Sequence, residues 1–186
     1  MQVDLAIALD SSGSVMRNNW ERLLRFTQEF ISLFRLSPSC SQVAVISFGN
    51  NAHVTSRLNT YSDKTALRNA VSTMLFRNER THTGDAIQTM TNDLFTPKNG
   101  DRAGVVNIGV IFVDGPANVN NHTTAQLASE ARAQGIQLVT VGLENGIDRS
   151  ELLRITNSRE RNLEFGSFLD LDSDQAKTEI FDKVLG

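Results

Sequence analysis

The chain alternates between short apolar runs and longer stretches in which apolar residues recur every three or four positions. Short runs rich in β-branched residues predict buried strands, whereas the longer spacing predicts amphipathic helices. The predicted buried strands are residues 3–9, 43–48, 105–113 and 136–143. Because strands and helices alternate, the pattern predicts a parallel sheet with crossover helices.

Five stretches have the spacing of a helix with one apolar face. The clearest is the first, where apolar side chains from Trp20 to Phe34 form a stripe that only Thr27 interrupts, and this face is expected to pack on the sheet. The other four are marked by Leu67, Val71 and Met74; by Ile87, Met90 and Leu94; by Ala125, Ala128 and Ala131, ending at Gly135; and by Ala176, Ile180, Phe181 and Val184.

Two weaker strand patterns complete the predicted sheet. Residues 52–58 alternate after the turn-like Gly49-Asn50-Asn51 and predict an antiparallel edge strand, and a short strand is predicted near 163–166. Together the patterns predict an α/β fold, namely a single doubly wound, Rossmann-like domain. Its sheet has six mostly parallel strands with one antiparallel edge strand, and helices cover both faces.

Composition narrows the class of protein. The 186 residues, of which 40% are hydrophobic and 21% charged, are typical of a soluble globular domain with a substantial core. A net charge of −3 gives no indication of a nucleic-acid-binding surface. No apolar run approaches the roughly 20 residues of a membrane helix, and the sequence after Met1 is strand-like rather than a signal peptide. The single cysteine, Cys40, is either a partly buried thiol or the partner of a cysteine outside this chain.

Polar side chains follow two of the apolar strands at the point where each ends. Asp10-Ser11-Ser12-Gly13-Ser14 comes directly after the first strand, and Asp114 after the third. Ligands bind at the carboxyl ends of such strands, where the strand order reverses, so the two carboxylates converge there if their strands are neighbours. Two carboxylates in one cleft repel unless one is protonated or a cation lies between them. Carboxylate and hydroxyl oxygens suit Mg2+ or Ca2+, but on these residues alone a helix N-cap remains an equal alternative.

Three separated segments resemble the loops of the metal-ion-dependent adhesion site of von Willebrand factor A domains, the family that includes integrin I domains, matrilins and collagen VI A modules. The segments are Asp10-Ser11-Ser12-Gly13-Ser14, Thr81-His82-Thr83-Gly84 and Asp114-Gly115, and further similarity lies at Asn19-Trp20, Val43–Gly49 and Gly84–Ile87. The resemblance covers essentially the whole chain. It implies that residues 1–186 are one A domain of a larger protein.

The resemblance also implies one cation site. Ser12, Ser14 and Thr81 would coordinate Mg2+, or Ca2+ or Mn2+ in its place, through their hydroxyls, while Asp10 and Asp114 supply negative charge partly through water. Two departures from the family are visible. Val113 stands where the family often has threonine, and Arg17, Asn18 and Asn19 stand where integrin β subunits have acids for a second cation. A second adjacent cation is therefore not expected.

The function implied by the resemblance is adhesion rather than catalysis. An acidic residue of a partner, such as collagen or another matrix or cell-surface protein, would complete the metal shell of a secreted or extracellular matrix domain. Neither nucleic acid binding nor membrane insertion is expected. Arg17, Asn18, His82 and Asn118 are the expected partner-binding rim, and Asn121-His122-Thr123 is a glycosylation sequon at Asn121.

Other interpretations remain open at this point. One alternative is matrix assembly through the edge strand or helices, with a metal that only stabilises the loops. An aspartate at the end of a first strand can also be a phosphoryl-accepting nucleophile in a Mg2+-dependent enzyme. By resemblance, however, phosphatases of that kind have a second aspartate two residues later, where this chain has Ser12. Thr83 is expected to cap the following helix. Asp170, Asp172 and Asp174 are expected to begin a helix, with a Ca2+ loop as the alternative.

Overall fold

Six strands form one sheet in the computed structural model, which describes residues 2–186. The strands are β1 (Val3–Asp10), β2 (Ser41–Phe48), β3 (Ala52–Ser56), β4 (Val106–Val113), β5 (Gln137–Leu143) and β6 (Asn162–Phe165). Their spatial order is β3-β2-β1-β4-β5-β6, and every neighbouring pair is parallel except β2 and β3. The predicted doubly wound sheet with one antiparallel edge strand is confirmed, and its strand order reverses between β1 and β4.

Six α-helices connect or follow these strands within the described residues. They are α1 (Arg17–Ser32), α2 (Lys64–Ser72), α3 (Thr83–Thr89), α4 (Asn121–Ala133), α5 (Arg149–Thr156) and α6 (Asp174–Leu185). A π-helical turn, Met90–Leu94, extends α3 and accounts for the longer apolar stripe there. All five predicted helices are present, whereas α5 lies in a segment for which the apolar pattern predicts no element.

Helix α5 was missed because it is short. Its eight residues include only two buried apolar side chains at helical spacing, Leu152 and Ile155, which is too little for a periodic signal. The helix begins at an N-cap, Asp148, whose carboxylate accepts hydrogen bonds from the N–H groups of Ser150 and Glu151. Capping and packing on the sheet therefore stabilise a helix that periodicity alone does not reveal.

The helices cover both faces of the sheet because successive strand residues point to opposite sides. On β1, Leu5, Ile7 and Leu9 join a cluster with α1, α2 and α6, while Ala6 and Ala8 join a second cluster with α3, α4 and α5. Every residue of β1 is buried. This two-sided burial explains why β1 is a continuous apolar run rather than an alternating one.

Two further features concern the single cysteine and the length of the helices. Cys40 is a partly buried free thiol in the loop before β2. None of the helices in the described part of the chain is both long and apolar enough to cross a membrane.

The acids near residue 170 each have their own partner. Asp170 accepts from the N–H of Ser167 at 3.0 Å, Asp172 pairs with Arg22 at 2.9 Å, and Asp174 pairs with Lys177 at 2.9 Å. Within residues 2–186 no group of three or more His, Cys, Asp or Glu side chains is arranged to hold a metal ion. The segment therefore begins a helix, as predicted, rather than forming a Ca2+ loop.

Candidate metal centre

The carboxyl ends of β1 and β4 lie side by side where the strand order reverses. The two strands are parallel neighbours, with Leu9 opposite Phe112, so Asp10 and Asp114 lie at the same edge of the sheet. Both aspartates are buried, with 1% of Asp10 and 6% of Asp114 exposed. The structure thus satisfies the condition on which the expected convergence of the two carboxylates depended.

The serines of the first loop link the two carboxylates. Ser14 Oγ donates to Asp114 Oδ1 at 2.9 Å and lies 3.1 Å from Ser12 Oγ. Asp10 Oδ1 accepts from the N–H of Ser12 at 2.8 Å. Among the described residues Asp10 Oδ2 has no hydrogen-bond partner, although it is buried. A buried carboxylate oxygen without a partner, beside two hydroxyls and a second carboxylate, is a donor set that fits a hard cation.

Backbone hydrogen bonds attach the loop after α2 to this first loop. Gly13 N donates to Glu79 O at 2.8 Å and Asn78 N donates to Ser11 O at 3.0 Å. The Ser11 hydroxyl accepts from the N–H of Arg77 at 2.7 Å. A Cβ on Gly13 would lie 2.9 Å from Asn78 Oδ1, closer than ordinary contact allows. That oxygen is the end of an exposed side chain that can move, so the backbone hydrogen bonds rather than the glycine hold the two loops together.

The third loop, which follows β4, binds both backbone groups of Thr81, its N–H and its carbonyl. The N–H of Thr81 donates to Asn118 Oδ1 at 2.9 Å, and its carbonyl accepts from the N–H groups of Asn118 and Val119 at 2.9 and 3.1 Å. Thr81 is 3% exposed. With the bond from Ser14 to Asp114, the three loops close into a ring, so the structure brings together the segments that carry all five predicted ligands.

The helix-cap interpretation of the first loop is not supported. The loop continues into a short 3-10 turn, Gly13–Val15, and then into α1. Ser12 is the N-cap of the turn and Met16 is the N-cap of α1, and neither makes a side-chain capping bond. The expectation that Thr83 caps α3 is wrong as well. The N-cap position is His82, which makes no side-chain capping bond, and Thr83 lies in the first turn.

Burial makes the negative charge of this site unfavourable. The pKa of Asp10 is raised to about 7, first by burial and then by the neighbouring charge of Asp114. The pKa of Asp114 is also raised, mainly by burial, and the charge of Glu144 adds to the effect. A divalent cation would reverse this effect, because its charge favours the ionised form of both groups. The residues present therefore fit such a cation in both chemistry and charge.

The residues expected to form the partner-binding rim differ in how exposed they are and in what they contact. Arg17 and Asn18 are exposed at the start of α1, and the Arg17 guanidinium lies 5.8 Å from the centroid of the Phe76 ring. His82 is only partly exposed, and its Nδ1 lies 3.1 Å from the carbonyl oxygen of Asn50. Arg17 and Asn18 are therefore the more accessible pair.

Two further residues of the third loop and α4 have distinct surroundings. Asn118 is exposed, but its side-chain oxygen holds Thr81. Asn121 is exposed as the first residue of α4, which leaves the predicted glycosylation position accessible.

One residue that supports the site escaped the sequence reasoning. Glu151, in the first turn of α5, is 7% exposed and accepts a hydrogen bond from the N–H of Ala117 at 3.0 Å. Burial raises the pKa of this carboxyl group. An acid in the first turn of a helix is common, so the sequence contains no signal that this one anchors the third loop.

We expect Asn118→Ala to weaken cation binding about fivefold, because the loss of one hydrogen bond costs about 1 kcal/mol and frees the Thr81 backbone. Calorimetric titration with Mn2+ or Mg2+ measures the effect. Asn118→Asp keeps the acceptor oxygen and should retain most of the affinity. Asn121→Ala is the matched control, since Asn121 does not contact Thr81. An unchanged affinity in Asn118→Ala would show that Thr81 does not depend on this contact.

The chain is similar in sequence to known extracellular proteins. A family model described as the von Willebrand factor type A domain matches residues 4–181. Matrilin-3 of Mus musculus is 32% identical over 166 residues, which cover 87% of this chain and 33% of matrilin-3. The transmembrane cell adhesion receptor mua-3 of Caenorhabditis elegans is 28% identical over 176 residues, 92% of this chain and 5% of the receptor. The chain thus spans a third or less of these relatives.

Solved structures share the fold. Proximal thread matrix protein 1 from the mussel byssus, solved with its MIDAS motif occupied by zinc, matches 98% of this chain and 48% of its own with a TM-score of 0.91 and 21% identity. The manganese-loaded TRAP protein of Plasmodium vivax matches 98% of this chain and 73% of its own with a TM-score of 0.78 and 20% identity. At these identities the likeness shows the fold, and with the family model it confirms the resemblance stated from the sequence.

Proposed function

Because the chain belongs to the von Willebrand factor type A domain family, we propose that it is a divalent-cation-dependent adhesion module whose metal shell is completed by an acidic side chain of an extracellular partner. The observation that carries the proposal is the buried Asp10 Oδ2, which has no hydrogen-bond partner among residues 2–186, at the point where Asp114, Ser12 and Ser14 meet. A matrix protein such as a collagen, or a cell-surface protein, is the proposed partner. The names of the relatives, a matrilin and a cell adhesion receptor, support this class.

Each residue of the site has a proposed role. The hydroxyls of Ser12, Ser14 and Thr81 offer neutral oxygens, and Asp10 and Asp114 offer the negative charge. When bound, the cation would supply positive charge and a coordination position for a partner carboxylate. Because the proposed direct ligands are neutral hydroxyls and the two aspartates act partly through water, the ion would keep its attraction for an incoming carboxylate. Ser14 is exposed whereas Asp10 is buried, so the partner would approach from the side of Ser14.

A binding module also agrees better with the relatives than an enzyme does. Neither matrilin-3 nor the adhesion receptor mua-3 is named as an enzyme. Phosphoryl-transfer enzymes of the kind considered from the sequence have a second aspartate where this chain has Ser12. The Ser12 hydroxyl is hydrogen-bonded to that of Ser14. The family and the site therefore favour recognition without chemistry.

The proposal predicts that partner binding requires the cation. We expect the immobilised chain to capture a protein from matrix extract in Mg2+ or Mn2+, and capture to fall at least about tenfold in chelator and in Asp114→Ala. Adding Mg2+ back should restore binding by the parent chain only. Glu164→Ala removes one exposed carboxylate elsewhere and should bind as the parent does.

Melting temperatures measured with and without cation separate stabilisation of the loops from ligation of the partner. Capture that persists in chelator, with a melting temperature that still rises in Mg2+, would contradict metal-bridged adhesion. That result would support contacts through the edge strand or helices instead.

A further inference from the structure

Glu144 brings a further carboxylate to the carboxyl edge of the sheet. It directly follows β5, which is the parallel neighbour of β4, with Gly142 opposite Val113. This register places Glu144 one residue beyond the position opposite Asp114, at the same edge. A Cβ built on Gly146 would lie 3.1 Å from the Asp114 carbonyl oxygen. The loop after β5 therefore packs against the third loop of the metal centre.

The side chain of Glu144 extends towards the metal centre. Asn19 Nδ2 donates to Glu144 Oε1 at 3.4 Å, and Asn19 lies near the start of α1, the helix that follows the first loop. The charge of Glu144 also reaches Asp114, where it raises the pKa of that carboxyl group. The Glu144 carboxylate thus lies between the start of α1 and the end of β4, beside the loops that present Ser14 and Asp114.

The backbone fixes the direction of this side chain. Glu144 has a φ of +68°, in the left-handed region that residues other than glycine rarely adopt. Its N–H donates to the carbonyl oxygen of Phe165 on β6 at 2.9 Å, which holds the residue in this conformation. Strained backbone of this kind clusters at functional sites, and here it aims an exposed carboxylate along the rim of the metal centre.

Glu144 has no cationic partner in the part of the chain that the structure describes, because the ion pairs formed by residues 2–186 do not include it. A partner carboxylate that approaches the metal centre would therefore meet a second, unneutralised negative charge at the rim. Like charges brought together in this way disfavour a complex, whereas a cation on the partner would replace the repulsion with an ion pair.

We propose that Glu144 selects partners that carry an arginine or lysine beside the acidic residue that completes the metal shell. This inference rests on the proposed metal-bridged function and names the partner more closely. A partner surface with acidic residues alone would be disfavoured, because it adds negative charge next to Glu144. A polyanion such as a sulfated glycan would be disfavoured for the same reason.

The test uses two peptides that differ in charge but hardly in shape. Acetyl-Arg-Gly-Glu-Gly-Arg-amide has a cation two positions to either side of its acid, on the same side of an extended chain. The matched peptide has citrulline, an uncharged isostere, in place of both arginines. Binding is measured from the amide shifts of the 15N-labelled chain in saturating Mg2+. We expect the arginine peptide to bind about fivefold more tightly, the gain from one exposed ion pair.

Two variants assign this preference to one carboxylate. Glu144→Gln should reduce the ratio of the two affinities to about one, because the amide cannot form the ion pair. Glu160→Gln is the matched control. Glu160 is also exposed and outside the ion pairs of residues 2–186, but it lies in the turn before β6, at the opposite end of the sheet. The control changes the net charge equally and should keep the fivefold preference.

The possible outcomes separate the role of Glu144 from the function on which it depends. Equal binding of both peptides in Mg2+, or an equal loss of preference in Glu160→Gln, would overturn the role of Glu144 and leave metal-bridged adhesion intact. Binding of neither peptide in Mg2+, or undiminished binding in chelator, would contradict the metal-bridged function and this inference with it. Calorimetric titration of Glu144→Gln with Mg2+ is the last check. A loss of cation affinity of about tenfold or more would make Glu144 part of the metal site rather than a contact for the partner.

Discussion

Asp10→Asn is expected to abolish divalent-cation binding and leave the fold intact. Asparagine keeps the oxygen that accepts from the N–H of Ser12, but it removes the charge from a buried position where Asp10 Oδ2 has no partner among the described residues. Affinity should fall at least about 100-fold, since the loss of groups that only support metal ligands already costs about 10- to 100-fold. Calorimetric titration with Mg2+ and Mn2+ measures the change.

Asp172→Asn is the matched control for this loss of charge. Asp172 forms an exposed pair with Arg22, with 51% of the aspartate side chain accessible, and such pairs contribute little. Its cation affinity should equal that of the parent chain. If Asp10→Asn still bound Mg2+ with the parent affinity, the cation would not lie at the ends of β1 and β4.

The same variant should have a different pH dependence of stability when no cation is present. The pKa of Asp10 is raised from 3.8 to about 7 in the folded chain, so the folded state keeps a proton that the unfolded state releases. The contribution of Asp10 to the free energy of unfolding is therefore full below pH 4 and is lost as the pH rises towards 7. Urea unfolding in chelator should show a decline that is larger in the parent than in Asp10→Asn, by an amount on the order of a few kcal/mol, because the variant keeps only the raised carboxyl groups of Asp114 and Glu151. Parallel profiles would contradict the raised pKa.

Arg102→Met is expected to cost the most stability of any substitution considered, about 3–5 kcal/mol, because it leaves a buried charge without its partner. Arg102 donates from its backbone and side chain to both oxygens of Asp4, which is 0% exposed on β1, with the shortest contact at 2.7 Å. It also donates to the carbonyl groups of Val3, Pro38 and Cys40. The residue therefore joins β1, the loop before β2 and the loop before β4, and denaturant unfolding measures its contribution.

Arg149→Met is the matched control for that substitution. Arg149 also pairs with a carboxylate, Glu164, at 2.7 Å, but 75% of its side chain is exposed, so its loss should cost about 1 kcal/mol or less. The double variant Asp4→Leu with Arg102→Met should recover part of the lost stability, because it removes the unpaired charge. A similar cost for Arg102→Met and Arg149→Met would show that burial does not strengthen the first pair.

The fold could be predicted where an element has a long apolar pattern, because it is buried either on one face or on both faces. Strand β1 is buried on both sides and is therefore apolar except for Asp4 and Asp10, while α1 buries a full stripe against the sheet. Helix α5 could not be predicted in this way, since its stability depends on the cap at Asp148 and on packing. The buried Asp4 shows the same limit, because its partner Arg102 is 98 positions away.

The sequence by itself determined the order of strands and helices and the polar residues that follow β1 and β4, because side-chain periodicity and strand ends are local properties of the chain. Resemblance to a family added Thr81, in the second of the three loops, as a further ligand. Only the tertiary structure decided that β1 and β4 are neighbours, that Asn118 holds Thr81 and that Glu151 holds the third loop. These contacts join residues far apart in the chain. The burial that leaves Asp10 Oδ2 without a partner in the described part of the chain exists only when the three loops meet.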